Sequence, residues 1–266
     1  MDIPTGFGSS LSLCRRAIVL AIFGMLALVA SSSADTFDAP LKKQVVDFGL
    51  SASNPPGGRN LRVKLYCWSY PTFMIKELDD EGEKGARWTS IVPIRGAVIS
   101  PCDRAHARDE MLIEPEWGGY FHGVEGNLVF IDADDGTDGG MPFVVFDFRT
   151  RKKIFEDSAY TSRMWRAATH SPFDEIRVRA APNEDVLLTY LRVVEADCDL
   201  HLERQACWKK VREKLALKSD QPPVCNGYEK ISSRWVSAVA YPVEVSLFPQ
   251  PSTKTIAGPV KCWPID

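Results

Sequence analysis

Asn127-Leu-Val-Phe-Ile-Asp132, Phe143-Val-Val-Phe-Asp-Phe148 and Lys153-Ile-Phe-Glu-Asp157 are three short runs rich in β-branched and aromatic residues. The polar loop 133–140 and the turn 149–152 separate them. Runs of this length, bounded by Gly, Asp, Arg and Lys, predict antiparallel strands joined by tight connections. The unit is a β meander, and the rest of the chain is read outward from it.

Upstream, the turn chemistry of Ser51-Ala-Ser-Asn-Pro-Pro-Gly-Gly-Arg-Asn60 separates a short strand at 45–50 from β-rich arms at 61–70 and 72–78. A charged turn at 79–85 leads to a returning strand at 87–94, and Pro71 marks a bend. Downstream, 175–179 and 186–194 form a third unit around the turn Ala181-Pro-Asn-Glu-Asp185. A last unit comprises 235–247, broken at Pro242, and a closing segment 254–263. Only 201–217 changes period: Leu202, Cys207 or Trp208, Val211 and Leu215 share one helical face, Asp199 is placed to cap it, and Pro222-Pro223 forbids continuation. The segment Val144-Val-Phe-Asp-Phe-Arg-Thr-Arg-Lys-Lys-Ile-Phe155 resembles the outer strands of a propeller blade over barely a dozen residues. The expected fold is therefore mostly β, with antiparallel meander units forming a sandwich or a small propeller-like domain and one helix near 201–217. A weak subdivision is placed near 160–175.

The first 34 residues read as an export leader. Arg15 and Arg16 precede an unbroken apolar run over 17–30, and Ser31-Ser32-Ser33-Ala34 offers small side chains for cleavage before Asp35. Such a run reaches about 21 Å as a helix, short of a hydrocarbon core of about 30 Å. The expectation is a signal peptide over 1–34 and one exported domain over 35–266, periplasmic or secreted, touching a membrane only through its leader. Of seven cysteines, Cys14 leaves with the leader, and six remain: Cys67, Cys102, Cys198, Cys207, Cys225 and Cys262. An even number in an exported chain reads as three disulfides, and the sequential set Cys67–Cys102, Cys198–Cys207, Cys225–Cys262 closes the most modest loops. The rival use is a zinc site at Cys198, His201 and Cys207, beside Asp197 and Asp199, although no Cys-x-x-Cys pair supports it.

Charge excludes some partners. The chain has 32 Lys and Arg against 35 Asp and Glu, and leaving out Arg15, Arg16 and Asp2 gives 30 against 34, net −4. That balance gives no general attraction for nucleic acid. Neither Gly-x-Ser-x-Gly nor Ser-x-x-Lys occurs after the leader, and His-Glu-x-x-His is absent. Two stretches carry chemistry. Asp132, Asp134 and Asp138 crowd one turn-rich loop, where clustered carboxylates suit a hard cation such as calcium, although the full EF-hand spacing is missing. Glu114, Glu116, Trp117 and Tyr120 combine carboxylates with aromatic platforms, a combination suited to glycans. The expected function is a non-catalytic interaction module of the cell envelope, binding a protein, a peptide or a glycan. The alternative is a hydrolase of an envelope polymer using carboxylates from Glu114, Glu116, Asp132 or Asp134.

Overall fold

Alternation of buried and half-exposed side chains lays down the first sheet. In the computed structural model, residues 37–96, 101–113, 118–133, 135–136, 140–162, 171–183, 185–230 and 236–265 are described. Strand β2 (Arg62–Ser69) buries Val63, Leu65, Cys67 and Ser69 while Arg62, Lys64, Tyr66 and Trp68 stay partly exposed, the period of two that a strand imposes. It pairs with β1 (Lys42–Leu50) and β3 (Phe73–Asp80); β4 (Ala86–Pro93) and β5 (Met111–Leu112) follow in chain order, all antiparallel. Pro71 lies in the bend between β2 and β3, where Tyr70 N–H donates to Phe73 O at 2.8 Å.

The second sheet has nine strands: β6 (Phe121–Glu125), β7 (Leu128–Asp132), β8 (Gly140–Asp147), β9 (Lys152–Tyr160), β10 (Arg177–Ala180), β11 (Val186–Glu195), β12 (Val236–Ser246), β13 (Ser252–Thr255) and β14 (Lys261–Ile265). The opening meander survives as the run β6-β7-β8-β9, which continues through β11 and β12 to β13. β10 shares one edge of β11 with β9, and β14 shares one edge of β12 with β13.

The two sheets stack. Tyr70, Phe73, Ile75, Ile91 and Ile113 from the first sheet and its flanks bury against Val124, Val129, Ile131, Val144 and Phe146 of the second, so the molecule is a sandwich and not a ring of blades. The outer face of the first sheet, Val63, Leu65, Met74, Leu78 and Val92, lies against Cys102 in the segment 101–110, hereafter the strap. The other face of the second sheet carries the largest cluster, including Phe130, Phe143, Leu188, Tyr190, Val239 and Tyr241. Phe173 and the helix residues Cys207, Trp208 and Val211 cover it.

Three readings from sequence need correction. The helix α1 is Arg204–Leu215 and begins later than 201. Asp199 instead closes the preceding turn, its Oδ1 accepting from His201 N–H and Leu202 N–H, so Leu202 falls before the helix and is 63% exposed. The helix ends because Ala216 turns left-handed at φ 52° while Leu217 N–H donates back to Arg212 O, a closure that precedes the prolines. Pro242 does not break its strand: β12 runs through it, paired to Leu191 of β11. Its carbonyl accepts from Ile256 N–H, so its ring nitrogen faces the same edge, in the gap between β13 and β14 where a missing N–H loses no ladder bond. Strands β5 and β6 lie where no strand is expected from the sequence.

The six cysteines form the sequential pairs Cys67–Cys102, Cys198–Cys207 and Cys225–Cys262, with Cα separations of 5.9, 5.8 and 4.6 Å. Cys198 and Cys207 are thus unavailable as zinc thiolates, and His201 stacks on Tyr228 at 4.8 Å. Among the described residues no helix is long and apolar enough to cross a membrane. The leader 1–34, with Cys14, lies outside the described residues.

Candidate functional site

Asp132 closes β7 and is buried. Its Oδ1 accepts from Tyr120 N–H at 3.1 Å, and its own N–H donates to Tyr120 O at 3.1 Å. Ser171 also hydrogen-bonds its carboxylate. The approach is close enough to require glycine at 119, where any Cβ would lie 1.3 Å from the Asp132 carbonyl oxygen. Burial pushes the carboxyl up to about 6, the charge of Asp174 adds to the shift, and the bonds from Ser171 and Tyr120 oppose it.

A second buried carboxyl approaches from the other sheet. Glu77, on β3 opposite Tyr66 and Thr89, accepts from Phe121 N–H. Burial pushes it up to about 8 against that hydrogen bond, with the charges of Asp79 and Asp132 adding. Successive peptide groups, Tyr120 and Phe121, are therefore held by one acid from each sheet. The neighbouring His122 lies between Phe37 (5.3 Å between ring centroids) and Phe173 (4.8 Å). Burial pushes it down to about 4, against the pull of Asp174. Phe37 in turn sits over Gly123, where a Cβ would come within 2.5 Å of its ring.

These contacts gather three connections at one end of the second sheet. The chain leaves β5 and returns at Gly118 to enter β6; it leaves β7 at Ala133, whose N–H donates to Pro142 O at 2.9 Å, and returns as β8; and it leaves β9 at Thr161 and returns at Ser171. Ser162 is tied to Glu175 through N–H and hydroxyl at 2.7 and 2.6 Å. From the first sheet, Lys84 pairs with Asp135.

Of the residues singled out in the sequence, Asp132 and Tyr120 meet here directly. Glu114, Glu116, Trp117, Asp134 and Asp138 lie outside the described residues, in the connections that flank this point. Among the described residues no group of three or more His, Cys, Asp or Glu side chains is placed to hold a metal ion. Glu77 and His122 escaped the sequence reading. The signal for Glu77 was a carboxylate on the same strand face as Phe73 and Ile75, where an apolar residue belongs. No protein-family model, no curated protein and no solved structure matches the chain.

Proposed function

We propose that this chain is an exported, disulfide-stapled interaction protein of the cell envelope, periplasmic or secreted. It recognises an envelope protein, peptide or glycan through the loop end of the nine-stranded sheet. The observation that carries this reading is the convergence on Asp132 of strand ends that launch three connections. Loops seated on a rigid sheet are the usual place for recognition, and Glu114, Glu116, Trp117 and Tyr120 fall in sequence between β5 and β6. Export is supported by the leader pattern and by three disulfides, which persist outside reducing compartments.

Affinity capture from envelope fractions tests the binding face. Partners held by the wild type should be lost by Trp117→Ala with Tyr120→Ala, while circular dichroism shows the fold retained. Capture unchanged by the pair of substitutions overturns the reading. Export is tested by sequencing the N-terminus of the envelope form, which should begin at Asp35; an intact leader on reduced, cytosolic protein overturns it.

A second reading, hydrolysis of an envelope polymer, is supported by the rise of the Asp132 carboxyl to about 6, which keeps a protonated fraction for general-acid work in mildly acidic solution. Its test is release of reducing ends from envelope glycan, abolished by Asp132→Asn. No release by the wild type removes it.

A further inference from the structure

One edge of the five-stranded sheet is β1, which has β2 on one side and, among the described residues, no strand on the other. Three large apolar side chains are exposed along it, Val45 at 56%, Phe48 at 40% and Leu50 at 55%, and Leu41 at 69% stands just before it. Free edges are ordinarily short, covered or interrupted by charge. This one carries charge at Lys42, Lys43 and Asp47, yet keeps a regular register from Lys42 to Asp47 before a bulge interrupts it.

The pairing fixes which backbone groups are free. Tyr70 N–H donates to Phe73 O, and Glu81 N–H to Arg62 O, so even residues of β2 bond to β3 and odd residues turn toward β1. Opposite Ser69, Cys67 and Leu65 stand Lys42, Gln44 and Val46. The N–H and C=O groups of Lys43, Val45 and Asp47 therefore point out of the edge.

This triplet is complementary to itself. An antiparallel copy related by a two-fold axis through Val45 sets Val45 against its mate and closes the hydrogen bonds of all three residues. Lys43 then faces Asp47 of the other copy at both ends, on the same side of the sheet. We infer that the protein pairs with a second copy of itself through β1, joining two five-stranded sheets into one continuous sheet. The partner is a second chain because this register unites opposite charges and brings no like charges directly together, as a closed two-fold interface requires. The surface belongs to the five-stranded sheet, whereas Asp132 closes a strand of the nine-stranded one.

The test uses the full protein, with sedimentation followed over a dilution series. Wild type should pass from dimer to monomer on dilution. Val45→Pro removes an outward N–H and no bond to β2, so it should be monomeric throughout with its melting curve retained. Asp47 is also held by Arg62 of its own chain at 2.6 Å, so the charge test leaves it in place: Lys43→Glu should weaken the dimer at least tenfold by facing Asp47 with a like charge, and Lys43→Arg should keep it. Val45→Cys should cross-link to its own mate under oxidation, whereas Leu50→Cys should not. A monomer at every concentration, or a dimer that survives Val45→Pro, overturns the inference; so does a β1 edge that binds only an extended peptide of different sequence.

Discussion

Glu77 and His122 are pushed in opposite directions by one cause, burial, and so act on stability in opposite pH ranges. An acid whose folded pKa exceeds its unfolded one holds its proton more tightly in the fold. Glu77, with Asp79 and Asp132 facing it, contributes fully below its ordinary 4.5, and that contribution is lost as pH rises toward about 8. His122 is the reverse: stability present above its ordinary 6.5 is lost as pH falls toward about 4. Glu77→Gln keeps an acceptor for Phe121 N–H and removes the ionisation. Its melting temperature relative to wild type should therefore rise between pH 5 and 8 by at least about 2–4 °C, the shift that ~1 kcal/mol gives in a chain of this size. Parallel melting profiles for the two proteins would refute the assignment. At the same site, Gly123→Ala should cost ~1–3 kcal/mol by overpacking the Phe37 ring. Phe37→Leu should relieve part of that cost, so a double-mutant cycle in urea must show coupling, and strict additivity would separate the two residues.

The strap over the first sheet shows how an element without regular structure is held. Lys76 is buried on β3, with its Nζ donating to Ala105 O at 2.7 Å and lying 3.7 Å from both Glu110 and Asp103. Burial would raise Glu110, but bonds from Ser90, His106 and the Ala107 N–H, with the charge of Lys76, hold it below the usual carboxylate range. Removing one member of a buried ion pair leaves the other uncompensated. Lys76→Met should therefore cost ~3–5 kcal/mol, while opening the Cys67–Cys102 bridge with alanines should cost ~2–4 kcal/mol. Chemical denaturation ranks the two, and a Lys76→Met variant as stable as wild type would show that the strap does not depend on the pair. Nothing local announced this arrangement: Lys76 sits in a β-forming run, and its acceptors lie about 30 residues further along the chain. The helix was legible in outline because Cys207, Trp208 and Val211 do share its buried face. Its start was misread because Leu202 fits the period while Asp199 binds the backbone of the turn before it.

Across the molecule the disulfides fasten coverings to sheets. Cys67–Cys102 ties the strap to β2, Cys198–Cys207 ties α1 to the chain leaving β11, and Cys225–Cys262 ties the segment after α1 to β14. Reduction of all three should abolish the cooperative thermal transition seen by calorimetry, because each bridge restricts the unfolded chain by ~2–4 kcal/mol against a total stability of ~5–15 kcal/mol. An unchanged transition in the reduced protein would refute it. The amino-acid sequence by itself determined where most strands run, because a period of two and turn residues act over a few neighbours. It also favoured the sequential cysteine pairs, because short loops close at least entropic cost. Only the tertiary structure decided that the strands divide into sheets of five and nine, that Val129 and Ile131 meet Ile75 and Ile91, that Pro242 lies harmlessly in a gap, and that Glu77 and Asp132 grip adjacent peptides. Each of these depends on which distant segments come together, and local periodicity carries no record of that register.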